Sequence, residues 1–285
     1  MSEKKFHIEE GSVQETLILP LYGRKLYMDA YPDLLPDQDG KNLIESIDYD
    51  FSKKYPNGGK GLSAKIGMIE YGLRVRATVE EMKKYLADHP KAVVVNMGCG
   101  LDTTYRMADN GRCKVYCVDF PDVIELRSEL LPAGERETYF ACDLNDLSWM
   151  DRIEFNKEDG AFLYALGVFF YFKRDEVKTL FDAMAKHFPG GMLAFDSTNA
   201  KGLKMMLKEF LAKSGMTVDA YFSLEDPEKE LPAFSDAFEK VTFYGLFEGH
   251  FPLDKRYGWL INRMGRSMGD KKKMSQYNTI LFAQE

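Results

Sequence analysis

VVVNMGCGLDTTYRM, residues Val93–Met107, decides how this chain folds. Val93, Val94 and Val95 are β-branched and apolar on consecutive positions, the composition of a strand covered on both faces. Gly98 and Gly100 follow, two apart, and then Asp102, Thr103 and Thr104. Without a Cβ, the glycines let the backbone approach a ligand closely and take conformations other residues resist. A strand running into such a loop is the arrangement that holds a nucleotide-like ligand beyond the carboxyl end of a parallel sheet.

The flanking sequence alternates in the way such a sheet requires. The helical stretch AKIGMIEYGLRVRATVEEMKKYLADHP leads into strand KAVVVNMG, and a helix near 102–109 follows. Next come strand CKVYCVDF, helix PDVIELRSELL with Pro121 in its first turn, and strand ETYFACDL. After a short helix, strand GAFLYALGVFF precedes helix RDEVKTLFDAMAKHFP, which stops at Gly190-Gly191 before strand GMLAFDST. Strands separated by helices of this length predict an α/β fold with a mostly parallel sheet and helices on both faces. Beyond 197, NAKGLKMMLKEFLAKSG reads as a helix ended by Gly215. EKVTFYGLFEGH and KMSQYNTILFAQE read as two strands joined through the segment that holds Trp259. They bring the sheet to seven strands with an antiparallel edge. The basic run Lys271–Lys273 reads as a solvated hairpin tip between strands.

Residues 1–62 are mixed, their apolar patches broken by Pro32, Pro36 and Gly40. They predict short helices and loops packed on the rest as a lid, not an independent core. The expected organisation is this N-terminal lid followed by one domain over 63–285, with a lid or substrate insertion at about 200–275.

Composition removes several function classes. A net charge of −7 argues against a nucleic-acid surface, which needs a concentrated basic face. The polar N-terminus lacks the apolar core of a signal peptide. No apolar run approaches the roughly 20 residues that span a bilayer, so no membrane partner is expected. Cys99, Cys113, Cys117 and Cys142 fall in or beside strands and read as reduced, buried thiols of a cytoplasmic protein. Cys113 and Cys117 have a metal-compatible spacing, but no second pair completes a site, and no metal is expected.

Three strand ends carry ligand signals. Gly98 and Gly100 end the first strand. Asp119 ends the second, about twenty residues on, where a carboxylate accepts both hydroxyls of a ribose. Asp143 ends the third, within reach of an adenine amino group. Each taken alone fits a tight turn or a helix cap; their conjunction points to a nucleoside. A dinucleotide fingerprint needs two residues and then a third Gly or Ala after GxG, where this chain has Leu101-Asp102. An anion placed near a pyrophosphate disfavours NAD. It favours a cofactor without phosphate, such as S-adenosylmethionine.

VVVNMGCGLDTTYRM, CVDFPDVIELRSELLP, ACDLNDLSW and GVFFYF together resemble the leucine carboxyl methyltransferase family of S-adenosylmethionine-dependent enzymes. LPLYGRK and IDYDFSKKY resemble its bacterial, polyketide-type O-methyltransferase branch more than its protein phosphatase methyltransferases. The resemblance implies a Rossmann-like methyltransferase fold with S-adenosylmethionine as cofactor. It implies that Arg74 pairs with the cofactor's carboxylate, with Arg76 close enough in sequence to be mistaken for it. Gly98 then lines the methionine portion beside Gly100, Asp119 takes the ribose, and Asp143 with Leu144 takes the adenine. The family's fourth strand usually ends in an acidic residue before Gly, and here Leu166-Gly167 stands there. Leu166 is therefore a cofactor-site position with an altered contact, read as a subfamily difference.

The expected reaction is O-methylation of a small-molecule hydroxyl or carboxylate. Methylation of a protein C-terminal carboxylate and cofactor binding without turnover are the alternatives. A carboxylate acceptor is already ionised near neutral pH, whereas a hydroxyl benefits from a base. Tyr22, Tyr171 and His250 are candidate acid/base residues, although packing or an ordinary surface role suits each better. His7, His89 and His187 are assigned nothing. Arg24 and Lys25 are suited to an anionic substrate or the cofactor tail, with plain solvation the default, and no catalytic residue is assigned. The aromatic runs YALGVFFYF and TFYGLFEGHFPL are expected to line an apolar acceptor pocket. The oligomeric state is not legible.

Overall fold

In the computed structural model, residues 5–8, 13–53, 61–214, 219–248, 253–272 and 274–284 are described. Val93–Met97 forms an inner strand, β3, buried at every position. Two short N-terminal strands, β1 (Phe6–His7) and β2 (Ile47–Asp48), pair apart from the main sheet. The main sheet continues with β4 (Lys114–Asp119), β5 (Glu137–Ala141), β6 (Ala161–Ala165), β7 (Met192–Ser197), β8 (Phe238–Gly245) and β9 (Gln276–Phe282). Its order is β5-β4-β3-β6-β7-β9-β8. β3, β4, β5, β6 and β7 pair in parallel, and antiparallel pairing is confined to one side, where β9 lies between β7 and β8.

Strand order reverses between β3 and β6, because the chain leaves β3 toward β4 and β5 and returns on the other flank. A crevice opens there beyond the carboxyl ends of the strands. The period of two sends Val94 into one apolar cluster and Val93, Val95 and Met97 into another. Helix α3 (Leu62–Asp88) fills the first cluster with Ile69, Leu73 and Met82. Helix α5 (Arg174–His187) fills the second with Val177, Leu180, Phe181 and Met184. Both faces are covered, which explains why these strands are apolar at consecutive positions.

Four expectations need correction. The fourth strand stops at Ala165, because Gly167 turns the chain at φ 75 and Phe169–Tyr171 forms a 3-10 turn. Phe169 then packs edge-on against Phe181 and Phe195 in the core and lines no acceptor pocket. The link between the last two strands is a helix, α8 (Trp259–Lys272), so Lys271 and Lys272 end a helix and do not form a hairpin tip. Lys273 and Gly215 lie outside the described residues. The N-terminal segment holds an 18-residue helix, α1 (Val13–Ala30), despite an internal Pro20. After α1 comes α2 (Gln38–Glu45). The remaining helices are α4 (Pro121–Leu130), α6 (Ala200–Ser214) and the single turn α7 (Pro227–Glu230).

α1 and α2 dock directly on the glycine loop. Leu101 is buried among Ile18, Leu21, Leu43 and Ile44. A Cβ on Gly72 of α3 would sit 2.4 Å from the Tyr27 ring of α1, so glycine there permits the close crossing of the two helices. Tyr27 also bonds Tyr257 through the two hydroxyls at 2.6 Å, and Arg256 forks onto both Asp33 oxygens at 2.8 and 2.9 Å. The N-terminal segment and the 253–262 stretch are thereby tied to each other over one side of the sheet.

Candidate functional site

The turn after β3 has left-handed φ values at Gly98 (58) and Gly100 (43). Space as well as torsion selects glycine at position 98. A Cβ there would lie 2.6 Å from Val168 Cγ2. Gly98→Ala is expected to cost about 1–3 kcal/mol, from a left-handed alanine and a displaced Val168. It should also weaken cofactor binding at least about tenfold; thermal melts and calorimetric titration check both, and adding Val168→Ala should recover part of the stability.

Asp119, at the end of β4, is tied to the loop. Its Oδ2 accepts from Gly100 N at 2.8 Å and its Oδ1 from Phe120 N at 2.8 Å. A carboxylate offers about four acceptor positions, so each oxygen keeps one for a ligand hydroxyl. Burial pushes the carboxyl above the ordinary aspartate range, although the two N–H donors and Arg127 pull the other way. Beside it Phe120, the residue preceding α4, is 55% exposed, an apolar face standing next to the Asp119 carboxylate. Phe120 was missed in the sequence because only Asp119 carried a polar signal.

Arg127 of α4 is 0% exposed and fixes the back of the loop. It donates to the carbonyls of Gly100 and Asp102 at 2.8 Å each and stacks on Tyr139. Its helical spacing was the overlooked signal, since residue 127 shares a face with Val123 and Leu130.

Asp102 is not presented to a ligand. Its carboxylate accepts from Arg24 Nη1 at 2.7 Å, Tyr164 Oη at 2.8 Å and Asn96 Nδ2 at 3.1 Å. Burial raises this carboxyl, but Arg24, Thr104 and Tyr164 outweigh it and hold it below the usual range. Arg24 itself is 4% exposed and also pairs with Asp37, so it meets neither an anionic substrate nor solvent. Lys25 is bonded to Asp29 one turn away.

On the other flank of the crevice, α3 presents Arg74. Its Nη1 donates to Asp196 Oδ2 at 2.7 Å, and Asp196 Oδ1 accepts from Gly167 N at 2.7 Å. Arg76 instead reaches the Tyr27 hydroxyl, so the two arginines face different surroundings. Asp143 is exposed beyond β5 and accepts from Asn145 N at 2.9 Å. Leu144 is buried, and its carbonyl receives the Trp149 indole N–H. Leu166 is half-buried at the end of β6 and packs on the α3-side cluster.

The acid/base candidates separate clearly. Tyr22 stacks on Phe51 with ring centroids 4.0 Å apart, a packing role. Tyr171 is 44% exposed and feels the charges of Arg74 and Asp196, with its phenol raised mainly by desolvation. His250 lies outside the described residues. Another surface cleft, between the turn at Tyr105 and β5, is lined by charges already paired to each other, Arg106 with Glu137 and Arg136 with Asp109. It offers no comparable ligand chemistry. Among the described residues, no group of three or more His, Cys, Asp or Glu side chains converges on a metal position. Nor is any described helix long and apolar enough to cross a membrane.

Strand order and the reversal point define a Rossmann-like α/β fold. Two solved structures share this fold. One is a candidate methyltransferase from Thermobifida fusca, with TM-score 0.56, 16% identity, and coverage of 91% of this chain and 94% of that one. The other is a DUF574 family protein from Streptomyces avermitilis, with TM-score 0.57, 13% identity, and coverage of 91% and 96%. The family model for leucine carboxyl methyltransferase matches residues 21–185. The chain belongs to that family. It is 31% identical over 186 residues to the tetracenomycin polyketide synthesis O-methyltransferase of Streptomyces glaucescens, a match spanning 65% of this chain and 66% of that protein.

Proposed function

We propose that the protein transfers a methyl group from S-adenosylmethionine to an oxygen, hydroxyl or carboxylate, of a small polyketide-like molecule. The observation that carries this reading is the Asp119 carboxylate, pinned by the N–H groups of Gly100 and Phe120 with one acceptor position left on each oxygen. That is the geometry a ribose diol needs. Asp143 and Leu144 stand at the neighbouring strand end for the adenine, with Phe120 as an apolar face beside Asp119. Gly98, in its left-handed turn against Val168, stands where the chain that joins nucleoside to amino acid passes, and Leu166 follows β6 on the α3 side. Arg74 meets the carboxylate of that amino acid, and its Nε is buried with no protein partner.

When bound, S-adenosylmethionine supplies a methyl group on a good sulfonium leaving group. The protein's part is to align donor and acceptor and to exclude water. α1 and α2, clamped on the glycine loop through Leu101 and Arg24, fix the loop from behind. α1, α2 and the 253–262 stretch tied to them then serve as the cover over the acceptor. The O-methyltransferase of polyketide synthesis among the relatives supports an acceptor of that chemistry.

Incubation with S-adenosylmethionine carrying a labelled methyl group, across polyketide-derived phenols and carboxylic acids, tests the reading. Label that base treatment releases as methanol identifies a carboxyl ester, and base-stable label identifies an ether. Label transferred only to peptide C-termini would move the acceptor to proteins. Cofactor binding without transfer to any acceptor class would favour a binding protein.

A further inference from the structure

The amino-acid end of the cofactor carries a positive charge as well as a negative one, and Arg74 answers only the negative. We infer that Asp196, at the carboxyl end of β7, is the residue that binds the cofactor's α-ammonium. Arg74 and Asp196 then form a two-charge clamp for the zwitterion. This rests on the proposed S-adenosylmethionine site.

The placement follows from contacts around the crevice. Gly98 touches Val168, Val168 adjoins Gly167, and Gly167 N donates to Asp196 Oδ1 at 2.7 Å. Asp196 is thus two residues removed from the loop that holds the nucleoside. The strand between, β6, ends at Ala165, and Leu166 after it brings no charge to this point. Each Asp196 oxygen has accepted one hydrogen bond, from Gly167 N and from Arg74 Nη1, and retains acceptor capacity. Arg74 has spent Nη1, while its Nε, buried and without a protein partner, remains.

The pair is largely enclosed, with side chains 16% and 7% exposed for Arg74 and Asp196. An enclosed ion pair with unspent donors on one side and unspent acceptors on the other is complementary to a carboxylate and an ammonium on one carbon. Its own pairing keeps both charges neutralised until the ligand arrives, which limits the desolvation cost of keeping them there.

The test compares ligands with and without the amino-acid end. On wild-type protein, calorimetry with S-adenosylhomocysteine, its desamino analogue and 5′-methylthioadenosine gives the reference. Asp196→Asn is expected to weaken S-adenosylhomocysteine binding at least about tenfold while leaving 5′-methylthioadenosine, which lacks the zwitterion, within about twofold. Equal losses for both ligands, or none, would overturn the inference. Should Asp196→Asn not fold, the wild-type data decide. The desamino analogue must bind at least about tenfold more weakly than S-adenosylhomocysteine, and equal affinity would overturn the inference. Failure of the wild-type protein to bind any of the three would sink the cofactor site itself, a distinct outcome.

Discussion

Asp119→Ala is expected to abolish measurable binding of S-adenosylmethionine and S-adenosylhomocysteine while the protein stays folded. The carboxylate stands to accept two ligand hydroxyls. A hydrogen bond to a charged acceptor is worth about 1.5–3 kcal/mol, so losing two costs roughly a hundredfold to ten-thousandfold in affinity. The variant also leaves Gly100 N and Phe120 N without their acceptor, which loosens the turn. Titration calorimetry beside a thermal melt separates loss of binding from loss of fold. Unchanged affinity in a folded variant would remove the ribose assignment, and the glycines would be left as a tight turn.

The same carboxylate imposes a pH dependence whose sign is fixed. Burial raises the Asp119 carboxyl above the ordinary aspartate value. Acceptance of ligand hydroxyls at both oxygens requires the ionised form. Affinity is therefore full above the raised value and falls as pH drops through it, approaching about tenfold per pH unit. The decline should begin at a higher pH than an ordinary aspartate, near 3.9, would give. Asp119→Asn should bind weakly and lose this slope. A wild-type profile no steeper than that of Asp119→Asn would contradict the assignment.

The residues that could be read from sequence and those that could not differ in a physical way. Strands and helices from 62 to 197 announce themselves through local pattern, because covering both faces of a parallel sheet forces apolar runs between amphipathic helices. Gly98, Gly100 and Asp119 were legible because they stand where a strand ends and a helix or turn begins. α8 was not, since two glycines interrupt WLINRMGRSMGDKK and only Leu260, Ile261, Met264 and Met268 mark its apolar face. Arg24 was not, because a charged residue is solvated by default and only its tertiary partners reverse that, while Arg127 had only its helical spacing with Val123 and Leu130 to mark it. Asp196 is the instructive omission. It closes the strand LAFDS just as Asp119 closes YCVD, and the same reasoning extended by one strand would have singled it out.

Arg24→Ala is expected to destabilise the fold by about 3–5 kcal/mol, the range for breaking a buried ion pair from one side. Arg24 serves two buried carboxylates, Asp37 and Asp102, and donates to Thr103 Oγ1 at 2.9 Å besides. Its removal strands both anions at the joint between α1, α2 and the glycine loop. The pH dependence distinguishes this cause from simple loss of packing. In the wild type the Asp102 carboxyl is held below its usual value, so its contribution is present above the unfolded aspartate value and lost as pH falls through the folded one. Without Arg24, its lowering influence is gone and the Asp102 carboxyl rises relative to the wild type, so protonation relieves the variant at a higher pH than it affects the wild type. The stability gap between wild type and Arg24→Ala should therefore narrow as pH is lowered through the variant's Asp102 value, which lies above the wild-type one. Adding Asp102→Asn to Arg24→Ala should recover part of the loss at pH 7, because the stranded charge is gone while the amide oxygen accepts from Tyr164 and the amide NH2 donates to Thr104 Oγ1. Urea denaturation at several pH values measures all three. A gap that is independent of pH would show that Arg24 acts through volume alone, and that the clamp on the cofactor loop is not electrostatic.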